Sequence, residues 1–427
     1  MGHRVAEKHA GRRMTPAIPL HPRAETVAEH LEAVLGAVAP LAPVRLPFES
    51  ARGLVLAEDV RTATAIPPFD NSAMDGYAVR RADLLTASAE NPVVLTVVAD
   101  LPAGSADNPG IGKGQAARIM TGAAVPDDAD AIVPIEVTDQ GLITVSVFDA
   151  PKPAAHFRRA GEDAHAGDIV LRRGVVFRAT SIAAAASAGT ASVLVHPTPR
   201  VAVISTGSEL VTPGEPTRRG QIPDSNSYLL AAAVADAGGI PIRVGAVADD
   251  ENELRELLAR LAPTVDAVIL SGGVSVGAFD VVKAVLAPLE SMTFGPIRMQ
   301  PGKPQGFGRW PDGPVVFALP GNPVSAYVSF EVFVRPALLR RAGQSYLLRP
   351  TLTASVDDAW NSPAGRAQYM PVAIDHSGGT ATARRATAGG SGSHLVSSLA
   401  QATGLAVVPE NVTRVEVGDQ LTVIVVA

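Results

Sequence analysis

Three continuous apolar runs, each closed by a Gly-rich turn, dominate the middle of the chain. The turns lie at residues 205–207, 271–273 and 319–321. Uninterrupted β-branched runs bounded by Gly are typical of buried parallel strands, and helix-like segments between them indicate βαβ units. One such turn alone would be an ordinary connection. Because ligands of open α/β sheets bind beyond the carboxyl ends of the strands, three such turns together predict a ligand site there.

Elsewhere the apolar spacing predicts shorter elements. An apolar stripe predicts an amphipathic helix at 25–38, and a helix that opens at Asn322 and Pro323 should end or kink at Pro336. Further helices are predicted at 180–187, 228–237, 251–261 and 281–286. Strands are predicted at 77–79, 93–98, 131–137, 142–147, 168–176, 351–356, 368–374, 405–408 and 421–426.

These elements predict a multidomain α/β protein. Its centre is a three-layer α/β domain with a mostly parallel sheet at 199–345. A β-rich domain at 65–157 is inserted into a small α/β linker domain made of 24–64 and 158–198. A barrel-like all-β domain follows at 346–427, and residues 1–23 form a flexible tail.

Composition narrows the function. The chain has 427 residues, of which 47% are hydrophobic and 18% charged, with a formal net charge of -6 and no cysteine. The charge argues against nucleic-acid binding, and the missing cysteines exclude thiolate metal sites and Cys nucleophiles. No apolar run reaches the roughly 18 residues that a membrane helix needs. No signal-peptide core follows the basic N-terminus, so we expect a cytoplasmic protein.

Acidic side chains follow the turns of the central domain. Asp250 and Glu253 predict a capping box, which leaves the neighbouring Asp249 without a local structural reason. Glu209, Asp249 and Asp280 could together hold a hard divalent cation such as magnesium through oxygen. The sequence therefore predicts these three residues as metal ligands.

Lys303 lies between two prolines and offers a fixed positive charge. Neither a Walker A motif nor GxGxxG occurs, so a P-loop NTPase and a dehydrogenase are not indicated. Residue chemistry alone predicts a metal-assisted enzyme acting on a phosphorylated or nucleotide ligand.

Polar loops of the flanking domains add further candidates. A loop at 66–79 that is rich in Pro, Asp and Gly carries Asp70 and Asp75. Thr121, in a Gly turn, and the paired Arg158 and Arg159 could hold an anion. As alternatives, the aspartates could form Asx turns or caps, and the arginines could be a solvated pair.

Several of these motifs together resemble the molybdopterin molybdenumtransferases, a family similar to the E domain of gephyrin. The matching stretches are 69–78, 118–122, 159–163, 205–210, 271–277, 301–304 and 319–325. The resemblance implies an elongated four-domain homodimer whose cleft forms between the central domain of one subunit and the β-rich domain of the other. It also implies that adenylated molybdopterin and molybdate give molybdenum cofactor and AMP, with Mg²⁺ assisting. Implied partners are a molybdopterin adenylyltransferase and recipient molybdoenzymes, with no nucleic acid or membrane.

The resemblance and the residue chemistry together give three sets of predicted site residues. Glu209, Asp249, Asp280 and Lys303 are predicted to be catalytic. Substrate contacts are predicted at Asp75, Thr121, Arg158, Arg159, Thr206, Gly207, Asp224, Gly272, Gly273, Ser275, Gly321, Asn322 and Ser325. Molybdate contacts are predicted at Arg298, Gln300, Pro301, Arg366 and Ser393.

Gln300 departs from the family pattern, in which many members have lysine. We therefore expect Arg298, Lys303, Arg366 and backbone N–H groups near Ser393 to bind the anion in place of the missing lysine. Two rival functions remain at this stage: a molybdopterin adenylyltransferase, whose single domain resembles residues 199–341, and a non-catalytic scaffold that binds the cofactor.

Overall fold

The computed structural model describes residues 24–274, 280–386 and 396–426. The chain divides into two compact units, unit 1 (Met1–Ala42 and His196–Ala427) and unit 2 (Pro43–Val195). The finer domain boundaries predicted above remain a prediction. The α-helices of the described residues are α1 (Val27–Ala37), α2 (Ala179–Ser187), α3 (Asn226–Asp236), α4 (Glu251–Leu261), α5 (Val281–Leu286), α6 (Pro323–Ser329), α7 (Arg335–Arg341) and α8 (Val396–Leu399).

Unit 2 is built around a five-stranded sheet with the strand order β8-β5-β7-β6-β9. Its apolar core packs on both faces of this sheet, with Tyr77 fully buried on one face and Ala78 on the other. Its strands are β1 (Val44–Pro47), β2 (Val55–Leu56), β3 (Val60–Arg61), β4 (Asn71–Ser72), β5 (Gly76–Val79), β6 (Val93–Leu101), β7 (Gln115–Ile119), β8 (Ala131–Pro134), β9 (Thr144–Val147), β10 (Phe157–Arg158), β11 (Ile169–Leu171) and β12 (Ser192–His196), the last of which ends one residue into unit 1.

Unit 1 contains a six-stranded sheet and a β-barrel. Its strands are β13 (Arg200–Thr206), β14 (Leu210–Val211), β15 (Ile222–Pro223), β16 (Ile240–Val247), β17 (Ala267–Ser271), β18 (Met292–Pro296), β19 (Met299–Gln300), β20 (Pro304–Arg309), β21 (Val315–Leu319), β22 (Thr351–Val356), β23 (Trp360–Asn361), β24 (Ala367–Asp375), β25 (Thr382–Arg385), β26 (Gly404–Val408), β27 (Arg414–Val415) and β28 (Gln420–Val425). Short 3₁₀ segments occur at Phe48–Ala51, Arg81–Leu84, Ile135–Val137 and Ala262–Thr264.

The six-stranded sheet has the order β16-β13-β17-β21-β20-β18. Strands β16, β13, β17 and β21 run parallel, and β20 and β18 complete the sheet antiparallel. Alternate residues of β13 enter different cores: Val201 and Val203 pack with α3 and α6, whereas Ala202 and Ile204 pack with α4 and α5. Helices therefore cover both faces, and the three apolar runs are confirmed as adjacent parallel strands.

The C-terminal region forms a closed barrel. Strands β24, β25, β22, β28 and β26 pair in sequence, and β26 pairs again with β24. Strand β19, which leaves the six-stranded sheet region, adds to β24 in parallel through Met299 and Gln300. The predicted barrel-like domain is thus confirmed.

The long helix does not end at Pro336, one of the two outcomes predicted for it; whether it kinks there remains a prediction. Helix α6 passes into a π-helical segment, Phe330–Val334, and α7 continues beyond Pro336 to Arg341. Pro336 lies in the first turn of α7, where a missing N–H is tolerated because the hydrogen-bond spacing has just changed. No helix among the described residues is long and apolar enough to cross a membrane.

Candidate functional site

A cleft of 660 Å³ lies in unit 1, beyond the carboxyl ends of β13, β17 and β21. The turns that form its floor are in close contact. A Cβ on Gly272, whose φ is +100°, would lie 2.6 Å from the Thr206 carbonyl oxygen, and a Cβ on Gly321 would lie 3.3 Å from the Gly272 Cα. Glycine is therefore needed here both for its backbone conformation and for the close approach of the turns.

Most of the predicted central-domain contacts line this cleft. The predicted residues along its wall are Thr206, Gly207, Glu209, Asp224, Asp249, Gly272, Gly273, Gly321, Asn322 and Ser325. Ser275 lies outside the described residues. The parallel-strand pattern alone was thus enough to bring these turns to one edge of the sheet.

Two exposed carboxylates belong to one end of the cleft. Glu209 folds back over Gly207, because a Cβ on that glycine would lie 2.6 Å from its Oε2. The backbone N–H and the hydroxyl of Ser208 both donate to Oδ2 of Asp249 at 3.1 Å. This fixes one oxygen of Asp249 and leaves Oδ1 without a hydrogen bond within the described part of the chain. Ser208 was missed in the sequence because its partner is 41 residues away.

Asp280 has a different local role. It occupies the N-cap of α5, where its Oδ1 accepts from the Lys283 backbone N–H at 3.1 Å. Within the described residues, no group of three or more acidic or histidine side chains is arranged to hold a metal ion. The three predicted carboxylates therefore do not form such a group, although Asp280 Oδ1 lies near the cleft, 3.0 Å from where a Cβ on Gly273 would be. Asp250 likewise caps α4 by accepting from Asn252 and Glu253 N–H groups, which confirms its structural role.

Asp224 is a buried member of the wall. It is 3% exposed and accepts from the Ser205 hydroxyl at 2.9 Å and from the backbone N–H of Ser227 at 3.1 Å. The Ser227 hydroxyl also donates to it. Because these donors belong to the protein, Asp224 fastens the β15–α3 connection to the end of β13. Both of its oxygens are bound by donors of the protein, so its hydrogen bonds do not support the prediction that Asp224 contacts substrate.

Two other buried polar groups of the wall lack partners. Thr206 is 6% exposed and Asn226 is 8% exposed, and both line the cleft. Neither the Thr206 hydroxyl nor the Asn226 Oδ1 makes a hydrogen bond with the part of the chain described here. Asn226 was not predicted as a site residue, because its hydrogen bond to Gly321 joins residues 95 positions apart.

The predicted molybdate contacts lie where the β19 segment meets the barrel. Gln300 Oε1 accepts from Arg366 Nη1 at 3.3 Å, and Pro301, which follows it, is buried. Arg298 forms an ion pair with Glu410 at 3.4 Å. Its charge is therefore partly neutralised, which weakens the expectation that it replaces the missing lysine. Ser393 lies outside the described residues.

Lys303 is exposed on the turn that precedes β20. The next residue, Pro304, lines the cleft. The Lys303 carbonyl accepts from the Ile297 N–H at 2.7 Å, which holds this turn against the segment that leads into β19. Lys303 thus remains a candidate cation at the border of the cleft.

In unit 2, Asp75 and Thr121 meet. Asp75 Oδ1 accepts from both the backbone N–H and the hydroxyl of Thr121, each at 2.7 Å. These bonds, first that of the backbone N–H and then that of the hydroxyl, lower the pKa of Asp75. Asp75 is therefore held in its ionised form.

The two predicted arginines of unit 2 differ. Arg158 is exposed in β10, whereas Arg159 donates to Asp70 and lies 4.6 Å from the centroid of the Phe157 ring. The Ala160 N–H also donates to Asp70 at 2.8 Å and is the main cause of that carboxyl's lowered pKa. Asp70 and Arg159 line a separate cavity of 440 Å³ in unit 2. The ion pair with Asp70 thus partly neutralises the charge of Arg159, which leaves less of it for an anion.

Family models match three consecutive parts of the chain. Residues 25–189 match the MoeA N-terminal region (domain I and II), residues 202–340 match a probable molybdopterin binding domain, and residues 353–426 match the MoeA C-terminal region (domain IV). The second match contains every residue that lines the cleft except Val396, which lies in the third.

Relatives of known name match over nearly their whole length. The chain is 44% identical over 404 residues to molybdopterin molybdenumtransferase 2 of Mycobacterium tuberculosis, covering 93% of this chain and 98% of the relative. It is 37% identical over 379 residues to molybdopterin molybdenumtransferase of Nostoc, covering 88% and 87%. Among solved structures, the molybdopterin biosynthesis MoeA protein from Pyrococcus horikoshii superposes with a TM-score of 0.82 at 31% identity, covering 94% of this chain and 99% of that one.

Proposed function

The chain belongs to the molybdopterin molybdenumtransferases, which act in molybdenum cofactor biosynthesis, and from this we propose that its cleft converts adenylated molybdopterin and molybdate to molybdenum cofactor and AMP. The observation that carries the proposal is the cleft itself. Its Gly turns bring backbone groups together beside two open carboxylates, Glu209 and Asp249. Backbone N–H groups of such turns suit phosphate oxygens, which the adenylated substrate supplies.

Glu209 and Asp249 are the residues that would hold Mg²⁺. Protein-bound Mg²⁺ commonly takes one or two carboxylates and fills its other positions with water and substrate phosphate, so two exposed carboxylates fit this ion. When bound, it would neutralise charge on the phosphoanhydride. Ser208 orients Asp249 by occupying Oδ2, which leaves Oδ1 for the ion. Asp280 would contribute by holding the start of α5.

Molybdate, the second substrate, would be held beside the β19 segment. Arg366 and Lys303 provide positive charge there, and Gln300 holds the Arg366 guanidinium through its amide oxygen. A doubly charged oxyanion is bound most strongly by charge-assisted hydrogen bonds, which these cations can donate. The neutral Gln300 is therefore a positioning residue for Arg366 in this proposal.

Unit 2 would complete the site of a second copy in a homodimer. Asp75 and Thr121 form a preorganised, ionised group on an exposed loop of unit 2. The residues described as lining the cleft belong to unit 1. The other subunit would supply the Asp75 loop to this cleft. Arg158 would add positive charge to the same shared site.

The direct test is AMP release from adenylated molybdopterin, measured with and without molybdate and Mg²⁺. We expect molybdate-dependent release, and we expect Asp249→Ala to lose most of it. Glu256→Ala, which removes another exposed carboxylate, from α4, is the control and should retain activity. Tight binding without any AMP release would instead indicate a scaffold, and pyrophosphate formation from ATP would indicate an adenylyltransferase.

Sharing of the site between subunits has its own test. Asp75→Ala and Asp249→Ala are each expected to be inactive as pure dimers. When the two are unfolded together and refolded, mixed dimers would contain one intact site and activity should return. Absence of any recovery, with mixed dimers demonstrated by differential tagging, would contradict a shared site.

A further inference from the structure

Asn226 is an oriented polar group that the proposed mechanism does not use. Its Nδ2 donates to the Gly321 carbonyl oxygen at 2.6 Å. Since only the NH₂ end of the carboxamide can donate, this bond determines which end is which. Oδ1 is therefore a fixed acceptor, and no described residue donates to it.

Thr206 provides a second group of the same kind. Its hydroxyl is buried beside Gly272, where an ideal Cβ would lie 2.9 Å from Oγ1, and it also lacks a partner in the described residues. The preceding residue offers a contrast, because the Ser205 hydroxyl contacts both Asp224 and Ser271. Leaving a buried polar group unpaired destabilises a fold, so two such groups on one cleft wall point to a partner outside the protein.

The position of Asn226 narrows the chemistry of that partner. Asn226 lies beside the turn after β21, whereas Glu209 and Asp249 follow β13 and β16 at the other side of the strand order. The cleft-lining residues around it include Pro320, Gly321, Asn322, Pro323, Ser325 and Val396, which are uncharged. The nearby charged residue, Asp224, has both carboxylate oxygens bound by donors of the protein. An uncharged planar ring fits this end better than a phosphate does, and a fixed acceptor requires an N–H donor from it.

We propose that Asn226 Oδ1 is a specificity-determining acceptor for an amine or ring N–H group of a planar heterocycle. The Thr206 hydroxyl, which lies beside Gly272 between the two sides of the cleft, would contact the same ligand. The inference rests on the proposed function, whose substrate carries two such rings, a pterin and an adenine. Both present the same donor chemistry. The test must therefore distinguish which ring meets Asn226.

The experiment measures binding by titration calorimetry with three probes: AMP, inosine monophosphate and molybdopterin that has not been adenylated. Inosine monophosphate has the ribose phosphate of AMP, but it replaces the adenine amine with a carbonyl oxygen and carries a hydrogen on ring nitrogen N1. It therefore tests recognition of the exocyclic amine. Asn226→Leu removes the acceptor at similar volume, and Thr206→Val removes only the hydroxyl. We expect each variant to bind the recognised ring about 3- to 10-fold more weakly, the range of a single neutral hydrogen bond.

A stability measurement separates recognition from structure. Thr206→Val should leave the thermal midpoint unchanged or raise it, because it removes an unpaired buried hydroxyl, and Thr206→Ser should restore binding. Asn226→Leu also loses the bond to Gly321 and could fail to fold for that reason. In that case two measurements still test the inference: ligand binding by Thr206→Val, and the comparison of AMP with inosine monophosphate on the unaltered protein. A Thr206→Val protein that is clearly destabilised and binds all three probes normally would overturn it.

The outcomes identify the source of the donor. If Asn226→Leu no longer binds AMP more tightly than inosine monophosphate, the donor to Asn226 is the adenine amine. Weakened molybdopterin binding with unchanged AMP binding assigns the pterin. Unchanged binding of both ligands by well-folded variants, while the unaltered protein still releases AMP in turnover, would overturn this inference alone. Failure of the unaltered protein to bind any probe or to turn over would overturn the proposed function as well.

Discussion

The Asp75 loop of unit 2 and the cleft of unit 1 both present polar side chains in turns, yet they use them differently. Asp75 has two donors from Thr121 on one oxygen, so the protein itself has already ionised and oriented this carboxylate. In the cleft, Thr206 and Asn226 are buried but have unpaired oxygens within the described residues. Residue type alone therefore does not show whether a polar side chain stabilises the fold or binds a ligand. What matters is how much of a group's hydrogen-bonding capacity the fold has already used.

The cleft itself contains both a carboxylate that the protein has fully hydrogen-bonded and one that is exposed. Substituting these two should give the largest difference, measured as the free energy of unfolding. Asp224 is buried among donors from Ser205 and Ser227, whereas Asp249 is exposed. We expect Asp224→Ala to lower the free energy of unfolding by about 3 kcal/mol, because it leaves buried donors unpaired. Asp249→Ala should change it by less than about 0.5 kcal/mol, as for other exposed positions. Chemical denaturation of both variants checks this, and equal stabilities would contradict a purely structural Asp224.

Local patterns accounted for the elements, because they depend on neighbours in sequence. The predicted spans of α4, α5 and β22 agree with the structure to the residue, and so does the cap by Asp250. The strand Thr382–Arg385 was missed because its polar, short sequence forms a strand only through pairing with β22 and β24. Tertiary pairing thus overrode weak local preference there.

The site was predicted less completely, since its decisive contacts join distant residues. The glycines and carboxylates of the cleft follow from strand ends, but the Arg298–Glu410 pair spans two predicted domains, and Asn226 meets Gly321 95 residues away. The hydrophobic periodicity of a sequence does not reveal contacts between residues that are far apart in the chain. The capping role of Asp280 is visible in sequence as a residue before a helix, yet its acidic charge favoured the metal interpretation.

The second prediction concerns Ser208, whose two hydrogen bonds orient the exposed Asp249 carboxylate. Removing the hydroxyl in Ser208→Ala should raise the Mg²⁺ concentration needed for half-maximal AMP release about 10-fold, the lower range for groups that orient a metal ligand. Ser208→Thr retains the hydroxyl and should behave like the unaltered protein. Calorimetric Mg²⁺ binding provides a readout independent of turnover. An unchanged Mg²⁺ requirement in Ser208→Ala would show that Asp249 does not depend on this bond.

A smaller effect is expected where the chain departs from its family at Gln300. Arg298 is paired with Glu410, so Arg298→Ala should change the molybdate concentration for half-maximal turnover by less than about 2-fold. Gln300→Lys adds a charge beside Arg366 and should lower that concentration about 2- to 5-fold, the value of a partly exposed charge interaction. If Arg298→Ala instead raises the requirement strongly and Gln300→Lys changes little, Arg298 compensates for the missing lysine despite its ion pair.

The smallest change is expected from removing the Thr121 hydroxyl, which is one of the two donors that hold the Asp75 carboxylate. The larger cause of its lowered pKa is the Thr121 backbone N–H, which Thr121→Val retains, and the hydroxyl is second. Thr121→Val should therefore raise the pKa of Asp75 only part of the way towards its ordinary value, and Thr121→Ser should leave it low. Because the folded pKa is depressed, the stabilisation by these bonds is present above the unfolded pKa and is lost as pH falls through the folded value. The variant should accordingly lose less stability on acidification than the unaltered protein does. Carbon-13 NMR titration of the Asp75 carboxyl measures this shift, and a pKa in Thr121→Val that equals that of the unaltered protein would mean that the backbone N–H alone holds the charge.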